Sequence, residues 1–502
     1  GRQVGSGFWV TVCTSTASPL VCTYDTATIA DGQYEVQLIV TDNAGNTTTT
    51  PIVTPINVDN TDPTVTMTNP GTPLGGVDAL SSTTGDASGI ATVLYQYKTS
   101  AGAVWNTACS SPTTPFTCNF DTASVPDGLY DFRAIATDLA GNQVTSGAVT
   151  NRRIDNTAPT AVTITAPPTP IRGTITINAG TPADTGGSGI ASVAIQRSPA
   201  GAGTWTSICT DTTAAYSSAF DSTTVTDGLY DFRALATDNA GNTTASAEAT
   251  NRRVDNTAPA VALTNPGTPL RATVVLNGTA SDGGSGLASL AFQRSPAGAG
   301  VWTTICTGAT SPATCSFNTT ALNGTFDIRA LATDVAGNQS NSTVTNIVID
   351  NTAPTATNIQ TANVGTLGRP NANDTVTDTV SEQMLTTSIL AGWAGASTPS
   401  SVRLTQGATD TMTIWNAGNT AQLPLGSVTI GTGHVTASAV LNATMVRTGS
   451  TVVITLGTLV SGTVATSATN VTMVWTPSAT ATDLAGNAMS TTTRTETGGN
   501  DR

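Results

Sequence analysis

One pattern of apolar and polar residues recurs along the chain and organises the rest of it. Its clearest copy is DSTTVTDGLYDFRALATDNAGN, residues 221–242, and related copies end at Asn46, Asn142 and Asn338. The tail of the pattern returns once more as ATDLAGN at residues 481–487. Regular internal repetition of this kind predicts a tandem array of similar structural units.

The repeated pattern has the two-residue period of a β-strand with one buried face. Glycine, aspartate and asparagine in Asp227-Gly228 and in TDNAGN predict turns at both ends of this strand. The inward positions are apolar in both the first and the third copy. They are Tyr34, Val36, Leu38 and Val40 in the first copy, and Tyr230, Phe232, Ala234 and Ala236 in the third.

A shared formula marks the junctions between units. It reads VDNTDP from Val58, IDNTAP from Ile154, VDNTAP from Val254 and IDNTAP from Ile349. The junctions are roughly 100 residues apart, which is the size of an immunoglobulin-like (Ig-like) sandwich. They predict half of a repeat at 1–60, complete repeats at 61–156, 157–256 and 257–351, and a longer, divergent domain at 352–502.

Short strands separated by glycine and proline predict an all-β fold within each unit. In 157–256 the segments TITINAG and IASVAIQRS are predicted strands, and WTSICT and YSSAF are interpreted as a hairpin. A helical period is absent, apart from one turn expected around residues 381–385. The predicted fold class is all-β: tandem Ig-like sandwiches in an elongated array, ending in a longer, divergent Ig-like sandwich.

Three cysteine pairs share a spacing of nine residues, and each begins four residues after a tryptophan: Cys13 and Cys22, Cys109 and Cys118, and Cys306 and Cys315. Equal spacing in three repeats predicts a local disulfide across each hairpin, and hence an oxidising compartment. Cys209 has no such partner, because the position nine residues later is Ser218. We therefore expect a free thiol there, with an interchain crosslink as the alternative.

Charge argues against nucleic acid as a partner, and hydropathy argues against a membrane-spanning segment. The formal net charge is −14, and only Lys98 is a lysine. An acidic chain without basic runs cannot neutralise nucleic-acid phosphates. A run of about 18 apolar residues that could span a membrane is also missing from the sequence. Because the sequence opens inside a repeat, we expect an excerpt from a longer protein.

These features resemble the bacterial Ig-like domains of large secreted and cell-surface proteins, adhesins among them. The resemblance rests on the DNTAP junctions, the D-x-GSG loop and TDxAGN before the last strand. Asp127-Gly128-x-Tyr130 and Asp227-Gly228-x-Tyr230 resemble the tyrosine corner of such sandwiches. The last domain resembles a related type through residues 380–384, VSEQM, and DLAGN at 483–487. The resemblance implies an extracellular or bacterial cell-surface location.

Motifs for catalysis are absent from the sequence, so we expect no enzyme activity. His434, the single histidine, has no neighbouring acid or cysteine, and the sequence contains no GxSxG, HExxH or P-loop. The predicted role is a structural extender serving adhesion, with neighbouring domains and a host or matrix surface ligand as partners. The alternatives are a carbohydrate or ligand reader at 352–502, through Trp393, Trp415 or Trp475, and accessory domains of a secreted enzyme.

Aspartates recur near each junction, and loop placement predicts that they gather at the end where the chain enters each sandwich. Clustered carboxylates would repel each other, and a hard cation such as calcium would offset that repulsion. Calcium at the junctions is also what the resemblance implies, with Asn156 and Asn239 as further oxygen ligands. The alternative is that each aspartate forms an Asx turn. The candidate ligands are Asp59, Asp86 and Asp138; Asp155, Asp184 and Asp238; Asp255, Asp282 and Asp334; and Asp350 and Asp483.

Overall fold

The computed structural model describes residues 1–468 and 472–497 and divides the chain into two units, Gly1–Asn256 and Thr257–Arg502. Nearly all regular structure in both units is β, and strand formation follows the apolar alternation of the sequence. Among the described residues no helix is long and apolar enough to cross a membrane.

Residues 61–156 fold into two packed sheets. One sheet has the order β10-β7-β6 and the other has the order β12-β11-β8-β9, with β13 also paired to β11. The repeated pattern supplies the central strand β11, whose inward side chains Phe132, Ala134 and Ala136 are fully buried. The strands are β6 Thr64–Met67, β7 Val77–Gly85, β8 Ile90–Thr99, β9 Asn106–Ser111, β10 Thr117–Asp121, β11 Gly128–Asp138, β12 Gln143–Thr145 and β13 Val149–Ile154.

Residues 1–60 contain only part of this arrangement. Strand β2 pairs with a two-residue strand β1 on one side and with β5 on the other, and β3 pairs only with β4. By sequence position β1 corresponds to the last residues of β8. The strands are β1 Arg2–Gln3, β2 Gly32–Val36, β3 Ile39–Thr41, β4 Thr47–Thr49 and β5 Val53–Val58.

The third and fourth repeats have the same two-sheet plan. Residues 157–256 pair β14 with β17 and form the sheet β16-β15-β18-β19, to which β20 adds through β18. Residues 257–351 form β21-β22-β25 and β24-β23-β26-β27. The strands are β14 Thr174–Asn178, β15 Ile190–Pro199, β16 Thr206–Asp211, β17 Ser217–Asp221, β18 Gly228–Asp238, β19 Thr243–Ala245, β20 Ala249–Val254, β21 Ala260–Leu263, β22 Thr273–Ser281, β23 Leu287–Pro296, β24 Thr303–Gly308, β25 Ala313–Asn318, β26 Gly324–Asp334 and β27 Gln339–Ile349.

The segments interpreted as a hairpin lie in different sheets, which corrects that prediction. Strand β16 pairs with β15, whereas β17 pairs with β14. The structure bonds Cys13 to Cys22, Cys109 to Cys118 and Cys306 to Cys315. The second and third of these bonds therefore join the two sheets of a sandwich. An alternating strand can bury its apolar face in either sheet of a sandwich. The local sequence therefore predicts where strands form, but not which strands pair.

Cys209 is the free cysteine, and its Sγ lies 3.8 Å from the Ser217 carbonyl oxygen. We expect thiol titration of the oxidised, unfolded chain to find about one thiol per molecule. The three bonds each close a loop of about ten residues, and each should contribute about 2.5–3 kcal/mol on the chain-entropy model. Three or more thiols in the unreduced sample would contradict this pairing, and a Cys209→Ser chain should titrate to none.

The C-terminal part forms one continuous sheet of nine strands, in the order β28-β29-β34-β33-β30-β31-β32-β35-β36, rather than two separate sheets. The sheet curls toward closure, because Thr497 beside β36 donates to the Asn358 side chain in β28 at 2.7 Å. The strands are β28 Ala356–Ala362, β29 Thr375–Val380, β30 Thr398–Thr405, β31 Asp410–Asn416, β32 Gln422–Gly431, β33 Val435–Thr448, β34 Thr451–Val464, β35 Val474–Thr476 and β36 Arg494–Thr495.

Helical structure is confined to single turns in the described residues. The α-helical turn α1, Thr386–Ile389, begins just after the predicted position at 381–385. Three 3-10 turns that the sequence analysis missed are Thr26–Thr28, Thr122–Ser124 and Ser222–Thr224. An aspartate caps each of them by accepting a backbone N–H, as Asp221 does from Thr223.

The tyrosine corner is formed where its residues are present. The Tyr130 hydroxyl donates to the Pro126 carbonyl at 2.8 Å, and Tyr230 donates to Thr226 at 2.9 Å. Tyr34 makes the same bond to Ala30 at 2.9 Å. The fourth repeat has Phe326 at this position and cannot make the bond.

We expect residues 1–60 to be the least protected part of the first unit. Leu38 and Val40 are 40% and 54% exposed, whereas Ala134 and Ala136 at the equivalent positions of the next repeat are 0% exposed. Because this sheet face lacks its covering strands, the amides of β2 and β5 should exchange many-fold faster than those of β18 and β20. Equally slow exchange in a monomer would contradict the expectation, and residues 228–254 provide the internal reference.

Candidate metal centre at the repeat junctions

Three carboxylates converge at one end of the third repeat. Asp155 follows β13, Asp184 lies in the loop before β15, and Asp238 ends β18. One oxygen of each lies within 4.8 Å of the others, with Asp155 and Asp238 buried and Asp184 half-buried. The chain brings them together because β15 and β18 are adjacent antiparallel strands, so the start of one lies beside the end of the other.

Backbone N–H groups hold these carboxylates in place. Asp238 Oδ1 accepts from Ala240 and Asn242 at 2.9 and 2.8 Å, which is the geometry of an Asx turn. Asp184 Oδ2 accepts from Gly189 at 2.6 Å, and Asp155 Oδ2 accepts from the Ser188 N–H at 2.6 Å. The turn-forming role predicted as the alternative is therefore present, and it coexists with the clustering.

The same arrangement occurs in the second repeat. Asp59, Asp86 and Asp138 approach within 4.8 Å in the same way. Asp59 Oδ2 is buried and has no hydrogen-bond partner among residues 1–468 and 472–497. In the next set, Asp282 and Asp334 also lie within 4.8 Å of each other, whereas Asp255 is a buried residue at the end of the first unit.

The C-terminal domain has a third member that the sequence analysis did not find. Glu382 lies within 4.8 Å of Asp350 and Asp483. The signal was available, because Glu382 belongs to the VSEQM phrase at 380–384. In the other clusters the corresponding carboxylate is an aspartate, such as Asp86 after β7, whereas here it belongs to the longer side chain of Glu382, which follows β29.

Electrostatics differ between the clusters. Burial raises the pKa of the Asp138 carboxyl, but hydrogen bonds from the Asn142 side chain and three backbone N–H groups outweigh burial and leave that pKa below its ordinary value. For Glu382, burial, the hydrogen bond to Asp350 and the charges of Asp350 and Asp483 raise the pKa to about 7. The ion pairs of the described residues are Arg2–Glu35 and Lys98–Asp131, and neither includes a cluster carboxylate.

An asparagine clamps the junction beside each complete cluster. The Asn142 side-chain amide donates to the Asp59 backbone carbonyl at 3.1 Å, Asn242 donates to Asp155 at 3.0 Å, and Asn487 donates to Asp350 at 3.0 Å. The last residue of TDxAGN therefore fastens its own repeat to the incoming chain.

The sequence profile of the bacterial Ig-like domain (group 3) matches residues 20–101, 114–180, 214–281 and 312–412, more than half of the chain. The chain belongs to this family. No curated protein matched. The Ig-like repeats here thus carry the family's fold together with the junction clusters described above.

Solved structures show similarity at low identity. An adhesin described as Ca2+-stabilised, which helps an Antarctic bacterium bind ice, is 20% identical over 81% of this chain and 99% of its own, with a TM-score of 0.31. Another solved structure, of a 1.5-MDa bacterial ice-binding adhesin, is 18% identical over 58% of this chain and 99% of its own, with a TM-score of 0.24. Fibronectin(III)-like modules of Clostridium thermocellum CbhA are 19% identical over 38% and 94%, with a TM-score of 0.27.

The structure also gives the surroundings of Asn156, Asn239 and His434. Asn156 is not a spare ligand, because its side-chain oxygen already accepts from the Gly76 N–H and the Thr122 hydroxyl. The Asn239 amide donates to the Ser188 and Gly189 carbonyls. His434 is buried, with Nδ1 3.0 Å from the Gly368 carbonyl oxygen.

Proposed function

We propose that this chain is a non-enzymatic extender of a large secreted or cell-surface bacterial protein that serves adhesion, and that its junctions hold calcium. The single observation that carries the proposal is the recurrence of one acidic cluster with one clamping asparagine at successive junctions. A spacer needs each unit to bury its own core and to hold its neighbour in a fixed direction. The junction residues supply the second requirement.

The chemistry of the clusters supports calcium as the ion. Calcium takes six to eight oxygen ligands, including carboxylates and backbone carbonyls. Three carboxylates within 4.8 Å and a buried Asp59 oxygen without a partner offer such ligands. Without a paired cation the clustered carboxylates repel each other, and the charges of Asp350 and Asp483 are among the causes of the raised pKa of Glu382.

We propose the repeat boundaries at 1–60, 61–156, 157–256, 257–351 and 352–502. The strand ladders pair residues within one of these ranges, which supports the boundaries. The matched family ranges begin in mid-repeat, at residues 20, 114, 214 and 312, and so describe the same periodicity in a different phase. The disulfides and the family's bacterial Ig-like repeats support an extracellular location.

Small-angle scattering of the full chain tests the proposed function. With millimolar calcium we expect the scattering to report a stiffer, more uniform particle than with chelator, because neutralised junctions hold adjacent repeats in one direction. Magnesium is the matched control, since it demands near-octahedral geometry and dehydrates reluctantly. Superimposable curves in calcium and chelator would contradict calcium-stiffened junctions.

A second candidate function is ligand reading by the C-terminal domain through tryptophan. Trp393 and Trp475 are buried, and their indole N–H groups donate to the Ala396 and Leu425 carbonyls. Trp415 is half-buried, so it is the one of the three that a sugar could reach, and the Arg403 guanidinium covers one face of its ring at 3.5 Å from the centroid. A Trp415→Ala chain that keeps all glycan binding would exclude this role, with Trp393→Ala as the control for lost stability.

A further inference from the structure

A mainly apolar cavity opens at the end of the C-terminal sheet away from Glu382. Strand β28 begins beside the acidic cluster, and its last residues, Thr361 and Ala362, line the cavity, which has a volume of about 80 Å³. That volume accommodates roughly five to eight atoms of water size. The buried apolar side chains that line it are Val376, Leu404, Met412, Ile430, Leu456 and Met473, and the buried polar side chains Asp374 and His434 line it as well.

The loop after β28 forms the mouth of this cavity. Asp374 holds the loop by accepting the Val364 and Asn371 backbone N–H groups at 2.8 and 2.7 Å. The Gly368 carbonyl accepts from the Ser467 N–H at 2.9 Å and faces the His434 ring at 3.0 Å. Hydrogen bonds at Val364, Gly368 and Asn371 therefore hold the loop at the mouth in place.

The mouth carries both apolar and cationic side chains. Val364 and Leu367 are 69% and 65% exposed at the loop surface. Arg369 lines the cavity entrance, and its guanidinium makes no hydrogen bond or ion pair among the described residues. The Asp374 carboxylate also lines the cavity, and its oxygens accept the Val364 and Asn371 backbone N–H groups, so an anionic head group would have to lie on the Arg369 side of the mouth.

We propose that this cavity binds a short straight-chain alkyl carboxylate. The chain, of about six carbons, would enter along the apolar side chains, where it removes apolar surface from water. The carboxylate would remain at the mouth, where Arg369 supplies the complementary charge. This site is separate from the junction clusters, so its existence does not depend on the extender role.

Methyl NMR of the full chain, labelled at its six methionines, tests the proposal directly. On titration with hexanoate we expect the Met412 and Met473 methyl resonances to shift. Met67 in the second repeat and Met384 and Met489 do not line the cavity and should not shift, so they are internal controls. Unchanged Met412 and Met473 resonances at about 10 mM hexanoate, or equal shifts at all methionines, would overturn the proposal.

Ligands that differ in alkyl-chain length or in head group test the apolar interior and Arg369 separately. Affinity should rise about fourfold per added methylene from butyrate until the cavity is filled, and then level off. Arg369→Gln should weaken hexanoate about two- to fivefold, because the guanidinium is exposed, while leaving hexanol binding unchanged. Equal loss for hexanoate and hexanol, or no loss for hexanoate, would overturn the assignment of Arg369.

Filling the cavity provides the complementary test. Leu404→Phe should abolish binding, and unchanged Met384 and Met489 resonances would show that the domain is folded. Met412→Phe is the second variant, with Met473 as its reporter, should the first fail to fold. Retained hexanoate binding in a folded, filled variant would overturn the proposal, whatever the wild-type titration showed.

Discussion

About 10 mM calcium is expected to raise the melting temperature of the full chain by roughly 5–10 °C relative to chelator. Calcium sites in extracellular modules have dissociation constants as low as about 10⁻⁴ M. At a hundredfold excess, one site that exists only in the folded state stabilises it by about 2.7 kcal/mol. In a unit of about 250 residues, each kcal/mol shifts the melting temperature by roughly 2–4 °C.

Asp238→Asn distinguishes a metal ligand from a turn former. The asparagine Oδ1 can still accept the Ala240 and Asn242 N–H groups, so the Asx turn should survive. A neutral amide is a weaker calcium ligand than a carboxylate, so the calcium-dependent part of the melting shift in the first unit should fall.

Asp211→Asn is the matched control for that substitution. Asp211 also holds a turn, through the Thr213 N–H at 3.0 Å, but lies outside the clusters. Its calcium response should equal that of the wild type. If calcium fails to raise the melting temperature of the wild type, or if Asp238→Asn responds as fully as Asp211→Asn, the aspartates are turn formers only.

The sequence was sufficient for the repeated strand because its burial pattern is local. Tyr230, Phe232, Ala234 and Ala236 alternate as predicted and are all buried. The outward neighbour Asp231 is buried too, which alternation did not indicate. It accepts the Asn251 and Gly201 N–H groups at 2.8 Å each, beside the register shift between Tyr230 and Phe232. A bulge of this kind depends on the partner strand and leaves no mark on the period of the strand itself.

The pairing of the strands and the membership of the carboxylate clusters were harder to predict than the strands themselves. The segments around Cys209 and Ser218 read as a hairpin because they are close in sequence, but each one is paired with a more distant strand. Glu382 was missed for a related reason, since its role depends on which loops meet rather than on its neighbours. In both cases the deciding contacts are long-range, and a period or a spacing reports only local ones.

Asp378 was not singled out either, and its replacement by valine is expected to stabilise the C-terminal domain. Asp378 lies on the inward face of β29 between Val376 and Val380, and it is 3% exposed. Its register partners are Ile359 and Val452, and its Oδ1 has no hydrogen-bond partner among the described residues. Replacing a buried, poorly satisfied charge by an apolar residue should raise the free energy of unfolding by about 1–4 kcal/mol at pH 8.

The pH dependence of stability should identify the cause. Burial raises the pKa of Asp378 from 3.8 to about 7. Between these values the folded state binds more protons than the unfolded state, so the free energy of unfolding falls as pH rises. The contribution is complete below about pH 4 and lost above about pH 7. Between pH 5.5 and 7 the wild type should lose up to about 2 kcal/mol, and Asp378→Val should lose less.

Three further variants, measured by denaturant unfolding in chelator, separate the effect of Asp378 from those of other groups. Glu382→Gln removes the other carboxyl whose pKa is raised to about 7, and the loss that remains in this variant belongs to Asp378. Asp378→Asn should flatten the profile without the full gain in stability, because the buried polar group persists. Thr377→Val adds the same β-branched residue on the opposite face and should change stability little. If Asp378→Val is less stable than the wild type at pH 8, its carboxylate is satisfied in the folded domain, and the charge at this position stabilises the sheet.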